Sequence, residues 1–530
     1  MKRLTITLLS FVLVFATLLL PVGATTATDT DLKSPETTAI IGYSAALVEE
    51  VDLTQVTDIK SYNGNNNYKI TDAQGLVMFA HLVSSTYANE TETGTWKRTF
   101  YGKTIYLAND IDMLETLTYK YVDGKLSFDI VEGDETSTGT ASSLFVPIGA
   151  SNSATFKGSF DGQGHTISNL TVLSNTLTYV GLFGHGTFAN IKNVIMDRTC
   201  AFSTSVATSY VGGIAGFLTY AGNEDAYAQV TNCLSMAAVS STGASSYIGG
   251  IVGNATGTTN KVANIKNCTN ASDSVSGANY VGGIAGLVNT GLFSNCRNVG
   301  DITNSKYGAG MIGRVETNIT IQSCVNNGDI VGTSGSGGII GVLKANSTGS
   351  IDANTINYGN AKNAIIASAG STTEFSNEAT SGTQDQTLIN QMLGVAVQAK
   401  ANATAGYMDL RIISSIDTLD YEYITFEFKF NGGEGIYNTT YTSQVTTVYT
   451  SIKASESDTV TEYSPYEVFA PNSKYFSTLT VTAIPYSATA EGVTNVTSVE
   501  ITVKAKPVGG TEISGTVGTI SNISTLLPTA

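Results

Sequence analysis

Apolar residues along the middle of the chain fall in short bursts of Val, Ile, Leu and Tyr, cut every few positions by Gly, Asn or Asp, and the bursts recur. YVGLFGH begins at Tyr179, YVGGIAGF at Tyr210, YIGGIVGN at Tyr247, YVGGIAGL at Tyr280, YGAGMIGR at Tyr307 and GSGGIIGV at Gly335. Successive starts are 31, 37, 33, 27 and 28 residues apart. A second phrase follows each one: ANIKNV from Ala189, AQVTNC from Ala228, ANIKNC from Ala263, GLFSNC from Gly291, ITIQSC from Ile319 and SIDANT from Ser350. Runs this short, rich in β-branched and aromatic residues and bounded by turn formers, predict strands rather than helices. One such unit cannot bury its apolar face alone, whereas stacked copies can. The expected fold class is therefore all-β, with a parallel β-helix from about 145 to 370. About eight coils at ~4.8 Å each would extend roughly 38 Å.

Stacking turns positions into columns. Gly181, Gly212, Gly213, Gly249, Gly250, Gly282 and Gly283 recur at one place in successive units, where either a positive φ or close backbone approach excludes a Cβ. The phrase GGIAG is not a phosphate loop, because it recurs with no helix after it. Val194, Cys233, Cys268, Cys296, Cys324 and Thr355 share another slot. A position that accepts Val, Cys and Thr selects a compact side chain, so these are expected to form one interior file of free thiols and their stand-ins. Disulfides between neighbouring coils are the alternative that strand spacing allows. The preceding slot holds Asn193, Asn232, Asn267, Asn295, Ser323 and Asn354, which predicts a ladder of side-chain hydrogen bonds at a turn.

The flanks divide the chain further. Lys2 and Arg3 precede an apolar run from Leu4 to Leu20, and Val22-Gly23-Ala24 supplies small residues for cleavage, so 1–24 is expected to be a signal peptide. Residues 25–66 form a leader expected to be poorly ordered. In the 67–370 segment, a short helix from Thr71 or Asp72 to Val83 would cap the stack, and 114–144 reads as an insertion. A Ser, Thr, Gly and Asn-rich linker with a short helix (Asp385 to Lys400) occupies 371–403. The strand-like runs of 404–508 suggest a β-sandwich, and 509–530 a flexible tail.

Composition narrows the chemistry. Charged residues are 13% of the 530, about half the usual ~25%. The net charge of −16 argues against nucleic acid, whose phosphates need a basic footprint. No second apolar stretch after residue 24 is long enough to span a bilayer, so with the leader removed the mature chain is expected outside the membrane, secreted or associated with the cell surface. Three His and no clustered ligand set leave no transition-metal site. Asp301 and Asp329 fall in register, and two carboxylates one strand apart repel unless something intervenes, so calcium is the one cofactor considered. Gly184-His185-Gly186 matches a short element of the polygalacturonase pattern. The same slot elsewhere holds Phe217, Asn254, Leu287, Arg314 and Val342, however, and no paired carboxylates accompany it, so His185 is read as a plain surface histidine.

The phrases FKGSFDGQGHTISNL, YVGLFGHGTFANIKNV and YVGGIAG together resemble the bacterial surface and secreted proteins that carry GLUG-motif repeats, over approximately residues 67 to 365. That resemblance implies a right-handed parallel β-helix on an exported, often adhesin-like protein, and it transfers no catalytic residue. The segment with Leu410-Arg411-Ile412 and Leu419-Asp420-Tyr421 is similar to a β-rich module appended to exported proteins of Firmicutes. The expectation is a non-catalytic protein that binds extracellular glycans or proteins. A pectinase-type lyase or hydrolase and a structural spacer that displays the C-terminal module are the alternatives.

Overall fold

In the computed structural model, residues 40–42, 50–52, 67–84 and 99–381 are described, apart from 123, 221–227, 259–261, 305, 333–334 and 371–374. Beyond 381 the description is confined to the backbone of strands between 396 and 521. The fold is built mostly from strands in parallel sheets, with few helices.

The repeated phrases land in register. Tyr179, Tyr210, Tyr247, Tyr280, Tyr307 and Gly335 each open a two- or three-residue strand, and these strands pair in parallel in that order as one six-stranded sheet. A second six-stranded sheet runs from Thr171–Ser174 through Ala201–Thr204, Ala238–Ser241, Val275–Gly277 and Ile302–Asn304 to Ile330–Gly332. A nine-stranded sheet extends from Ile111–Asp112 to Thr380–Ser381. In the largest sheet the strands Ala215–Thr219 and Gln229–Thr231 remain separate, while their later counterparts fuse into Ala285–Ser294 and Ile312–Gln322. Every repeat thus hands a strand to each sheet, and its neighbours are the repeats immediately before and after it.

Alternation within each strand sets what is inside. Val180, Val211, Ile248 and Val281 follow the strand-opening tyrosines and are fully buried, as are Ile191, Val230, Ile265, Phe293, Ile321 and Ile351 from the second phrase. Each such side chain contributes about 1.5–3 kcal/mol by leaving water. The helix Ala73–Ser84 begins at Asp72, whose Oδ1 accepts the Gly75 N–H at 2.9 Å. It buries Phe79 against Phe100, Phe156 and Phe160, with ring centroids 5.0–5.9 Å apart. The repeated glycines are needed for close approach rather than for a positive φ. A Cβ on Gly283 would lie 2.1 Å from the Gly310 oxygen and 2.3 Å from Asn298 Cγ.

Several expected boundaries move. Phe375–Asn377 and Thr380–Ser381, inside the supposed linker, pair with Gly349–Ile351 and Ile356–Asn357 and extend the parallel sheets to residue 381. Polar composition misleads here because strand pairing uses backbone groups that every residue carries. The last third of the expected Asp385 to Lys400 helix is the strand Ala396–Ala401, antiparallel to Tyr407–Ser414, while 382–395 lie outside the described residues. The leader 25–66 carries strands Ile40–Gly42 and Glu50–Asp52, the latter paired with Asn67–Ile70. The tail carries Ile513–Ser521, antiparallel to Ser498–Pro507. Beyond residue 395 the strands form two sheets in which the pairing is mainly antiparallel. The expected signal peptide, 1–24, lies outside the described residues.

Candidate ligand-binding face

Because the residue after each strand-opening tyrosine points inward, the tyrosines point out, and parallel in-register pairing places them one above another. Tyr179, Tyr210, Tyr247, Tyr280 and Tyr307 form a ladder whose ring centroids are 5.7, 5.4, 5.3 and 5.4 Å apart, with planes within 8–11° of parallel. Four are partly exposed and Tyr280 is nearly covered. Each such pair is worth about 0.5–1.5 kcal/mol beyond burial. Tyr179 donates its hydroxyl to Asn152 Oδ1 at 2.9 Å, and Tyr280 accepts from Arg314 Nη1 at 2.6 Å. The hydroxyls of Tyr210, Tyr247 and Tyr307 have no protein hydrogen-bond partner among the described residues. Burial and the neighbouring phenols push the pKa of Tyr210 and Tyr247 above the ordinary tyrosine value, so these two phenols are uncharged at neutral pH.

A second column runs beside the first, in the order His185, Phe217, Asn254, Leu287, Arg314, Val342. Phe217 sets its edge on Tyr210 at 5.0 Å and on Tyr179 at 5.5 Å. Arg314 lies over Tyr280 at 5.0 Å and pairs with Glu316, which also accepts from Lys344 at 2.6 Å. Lys306 sits over the Tyr307 ring at 5.4 Å.

His185 is not the surface residue expected. It is 6% exposed, wedged between Tyr179 and Phe217, and neither ring nitrogen has a protein partner. Burial lowers its pKa to about 4, so the ring is neutral at pH 7. The sequence pattern placed it in an outward-pointing slot but gave no sign that flanking aromatics would cover it.

The interior columns lie where the repeat spacing put them, with one exception. Val194, Cys233, Cys268, Cys296, Cys324 and Thr355 are all buried. They occupy equivalent positions, since the residue after each hydrogen-bonds to the carbonyl of the same slot one repeat earlier, at 2.9 Å in all five steps. All five cysteines are free thiols, and burial raises the pKa of Cys200, Cys268 and Cys324. Asn193, Asn232, Asn267 and Asn295 adopt φ of 51–56° at a turn. Each donates its amide to the one before, at 3.3, 2.9 and 3.2 Å, and Asn193 donates to Asp161 at 2.8 Å. Asn354 does not join them. The last repeat has an extra residue between Ile351 and Ile356, which leaves Asn354 exposed in a turn. Asp352 serves that repeat instead, accepting the Ser323 N–H at 3.0 Å.

A further ladder went unread in the sequence. Asn270, Asn298, Asn326 and Asn357, two residues beyond the thiol slot, are buried and linked amide to amide at 2.7 Å in each step. Its donors point toward the C-terminal end, opposite to those of the turn ladder. The signal was the recurrent pair Thr269-Asn270, Arg297-Asn298, Val325-Asn326 and Ile356-Asn357. The tyrosine ladder was equally visible, as the first letter of five phrases.

Asp301 and Asp329 stack as expected, and each carboxylate already serves the next repeat. Asp301 accepts the Asp329 N–H at 2.8 Å, and Asp329 the Asn360 N–H at 2.7 Å. Burial, with help from the Asp329 and Asp273 charges, holds the Asp301 carboxyl above its usual pKa. Among the described residues no group of three or more His, Cys, Asp or Glu is placed to hold a metal ion, and no helix is long and apolar enough to cross a membrane.

Searches against family models, curated proteins and solved structures find no match to this chain.

Proposed function

We propose that the chain is an exported, non-catalytic, adhesin-like protein of the GLUG-repeat class, secreted or associated with the cell surface, that binds extracellular glycans or proteins. In this reading residues 67–381 wind as a right-handed parallel β-helix that carries a C-terminal β-sandwich. In-register pairing of successive repeats, interior files of like side chains and a capping helix support the winding. The basic-apolar-small N-terminus supports export. Calcium at Asp301 and Asp329 stays a subsidiary proposal, since both carboxylates are engaged with backbone N–H groups.

One observation carries the binding role, the unbroken row of five tyrosines along one face with three hydroxyls unengaged. Tyrosine combines contact area, few rotatable bonds and a polar tip, which suits recognition. The test is retention of the full chain on a glycan array and on immobilised mucin, compared with a Tyr210→Ala/Tyr247→Ala variant of unchanged melting temperature. Loss of retention in the variant supports the reading. Equal retention removes the face from the account, and release of reducing sugar from any retained polysaccharide overturns the non-catalytic assignment.

A further inference from the structure

We infer that the tyrosine face takes an uncharged, extended β-1,4-linked glycan chain, lying parallel to the ladder with one sugar ring per repeat. The inference rests on the binding role proposed for this face and names its ligand.

The first argument is the tilt of the rings. Near-parallel aromatic planes in contact approach to about 3.5–4 Å, whereas these centroids are 5.3–5.7 Å apart. Rings in contact at that separation have slipped past one another like shingles, and offset stacking of this kind is the arrangement aromatic quadrupoles favour. Part of each ring face is then left uncovered by its neighbour. The face is a flight of inclined aromatic steps with hydroxyls at their tips, open at Tyr179, Tyr210, Tyr247 and Tyr307 and covered by the Arg314 guanidinium at Tyr280. The C–H face of a pyranose ring packs on an open step, and at Tyr210, Tyr247 and Tyr307 its equatorial hydroxyls meet phenols with no hydrogen-bond partner among the described residues.

Period decides between polymers. Side chains on one face of an extended peptide recur every ~6.7 Å, twice the ~3.3 Å rise per residue. The ladder covers about 22 Å in four steps, so a peptide would run out of step by roughly 5 Å over its length. An extended β-1,4-linked chain advances by about one ring length per residue, which is the tyrosine separation, and stays in step along the whole row.

Charge excludes the acidic glycans. His185 is neutral, and Phe217, Asn254 and Leu287 beside the row carry no charge. Of the cations near one end, Arg314 and Lys344 share Glu316, and Lys306 over Tyr307 is a single cation at the last tyrosine. A polyuronate would bring a carboxylate to every step of a protein with net charge −16 and find no free row of cations to meet it. The row also has a definite length, since Gly335 occupies the sixth position.

The experiment is titration calorimetry of the full chain with cello-, xylo-, manno- and chito-oligosaccharides from two to seven residues, with oligogalacturonates and an extended Ser/Thr peptide as competing classes. At least one neutral series should bind with affinity that climbs with length and levels off near five residues. Tyr247→Ala should weaken the pentasaccharide about tenfold or more, and Tyr247→Phe, which keeps the ring, by a few-fold. Binding of oligogalacturonate or peptide alone, or affinity independent of length, overturns the ligand class and leaves the adhesive role intact. Failure of the neutral oligosaccharides together with no retention on array or mucin overturns both.

Discussion

The buried thiol file and the exposed tyrosine ladder are built by the same device, in-register parallel pairing, yet they differ in what they tolerate. The interior slot admits Val194, four cysteines and Thr355, with every member buried. The exterior slot admits tyrosine five times running, although a partly exposed position imposes little packing demand. Inside, the constraint is volume, and residues of similar size interchange. Outside, the constraint is chemical identity, and stacking at about 0.5–1.5 kcal/mol per pair is a modest return for holding one residue type at five positions. The difference teaches where to look for function in a repetitive molecule. The column that varies within a fixed volume belongs to the fold, and the outward column that keeps tyrosine through five repeats is the candidate for recognition.

That contrast breaks first at the inner amides. Asn298→Ala orphans the buried Asn270 amide and Asn326 oxygen, and at about 1–3 kcal/mol for each unsatisfied group it should be the most damaging single change, read as a lowered chemical-denaturation midpoint. Next comes acid. His185 has a folded pKa of about 4, below its unfolded value, so the unfolded chain binds the extra proton and stability falls as pH drops from about 6.5 to 4. The loss is about 3 kcal/mol at most. His185→Phe, which copies Phe217 in the next repeat, should remove that pH dependence in melting curves at pH 7 and pH 4.5. Cys268→Leu overfills the thiol file and should cost about 1–3 kcal/mol, whereas Cys268→Val, which copies Val194, should cost under about 1.5 kcal/mol. The smallest effect belongs outside. Tyr247→Phe should leave stability within about 0.5 kcal/mol, so any loss of ligand retention in that variant reports recognition rather than folding. A Tyr247→Phe protein that melts as early as Cys268→Leu would erase the distinction between the two columns.

The sequence made the register legible because two phrases recur in fixed order, and a phrase that begins with tyrosine and ends one position past asparagine fixes the phase of every strand between. It misplaced what depends on neighbours rather than on phase. The burial of His185 depends on Tyr179 and Phe217, which come from different strands. Asn354 failed because one inserted residue shifts a turn without disturbing the thiol slot that follows it. The Asn270 ladder was overlooked because an asparagine followed two positions later by Ser272, Gly300, Gly328 or Gly359 reads as a turn former, and its suitability for burial depends on partners one repeat away. The segment 375–381 read as linker because its side chains are small and polar, while the groups that pair it to the stack are peptide N–H and C=O.

The repeat lengths vary from 27 to 37 residues while the pairing of tyrosine with tyrosine never slips. Surplus chain is absorbed where it does not alter the phase of the next strand. Duplicating one such unit within the coding sequence would therefore add one more aromatic step with no redesign of the interior, and deleting one would take a step away. The reach of the surface is in that sense a heritable dial, set by the number of copies rather than by refinement of any single residue.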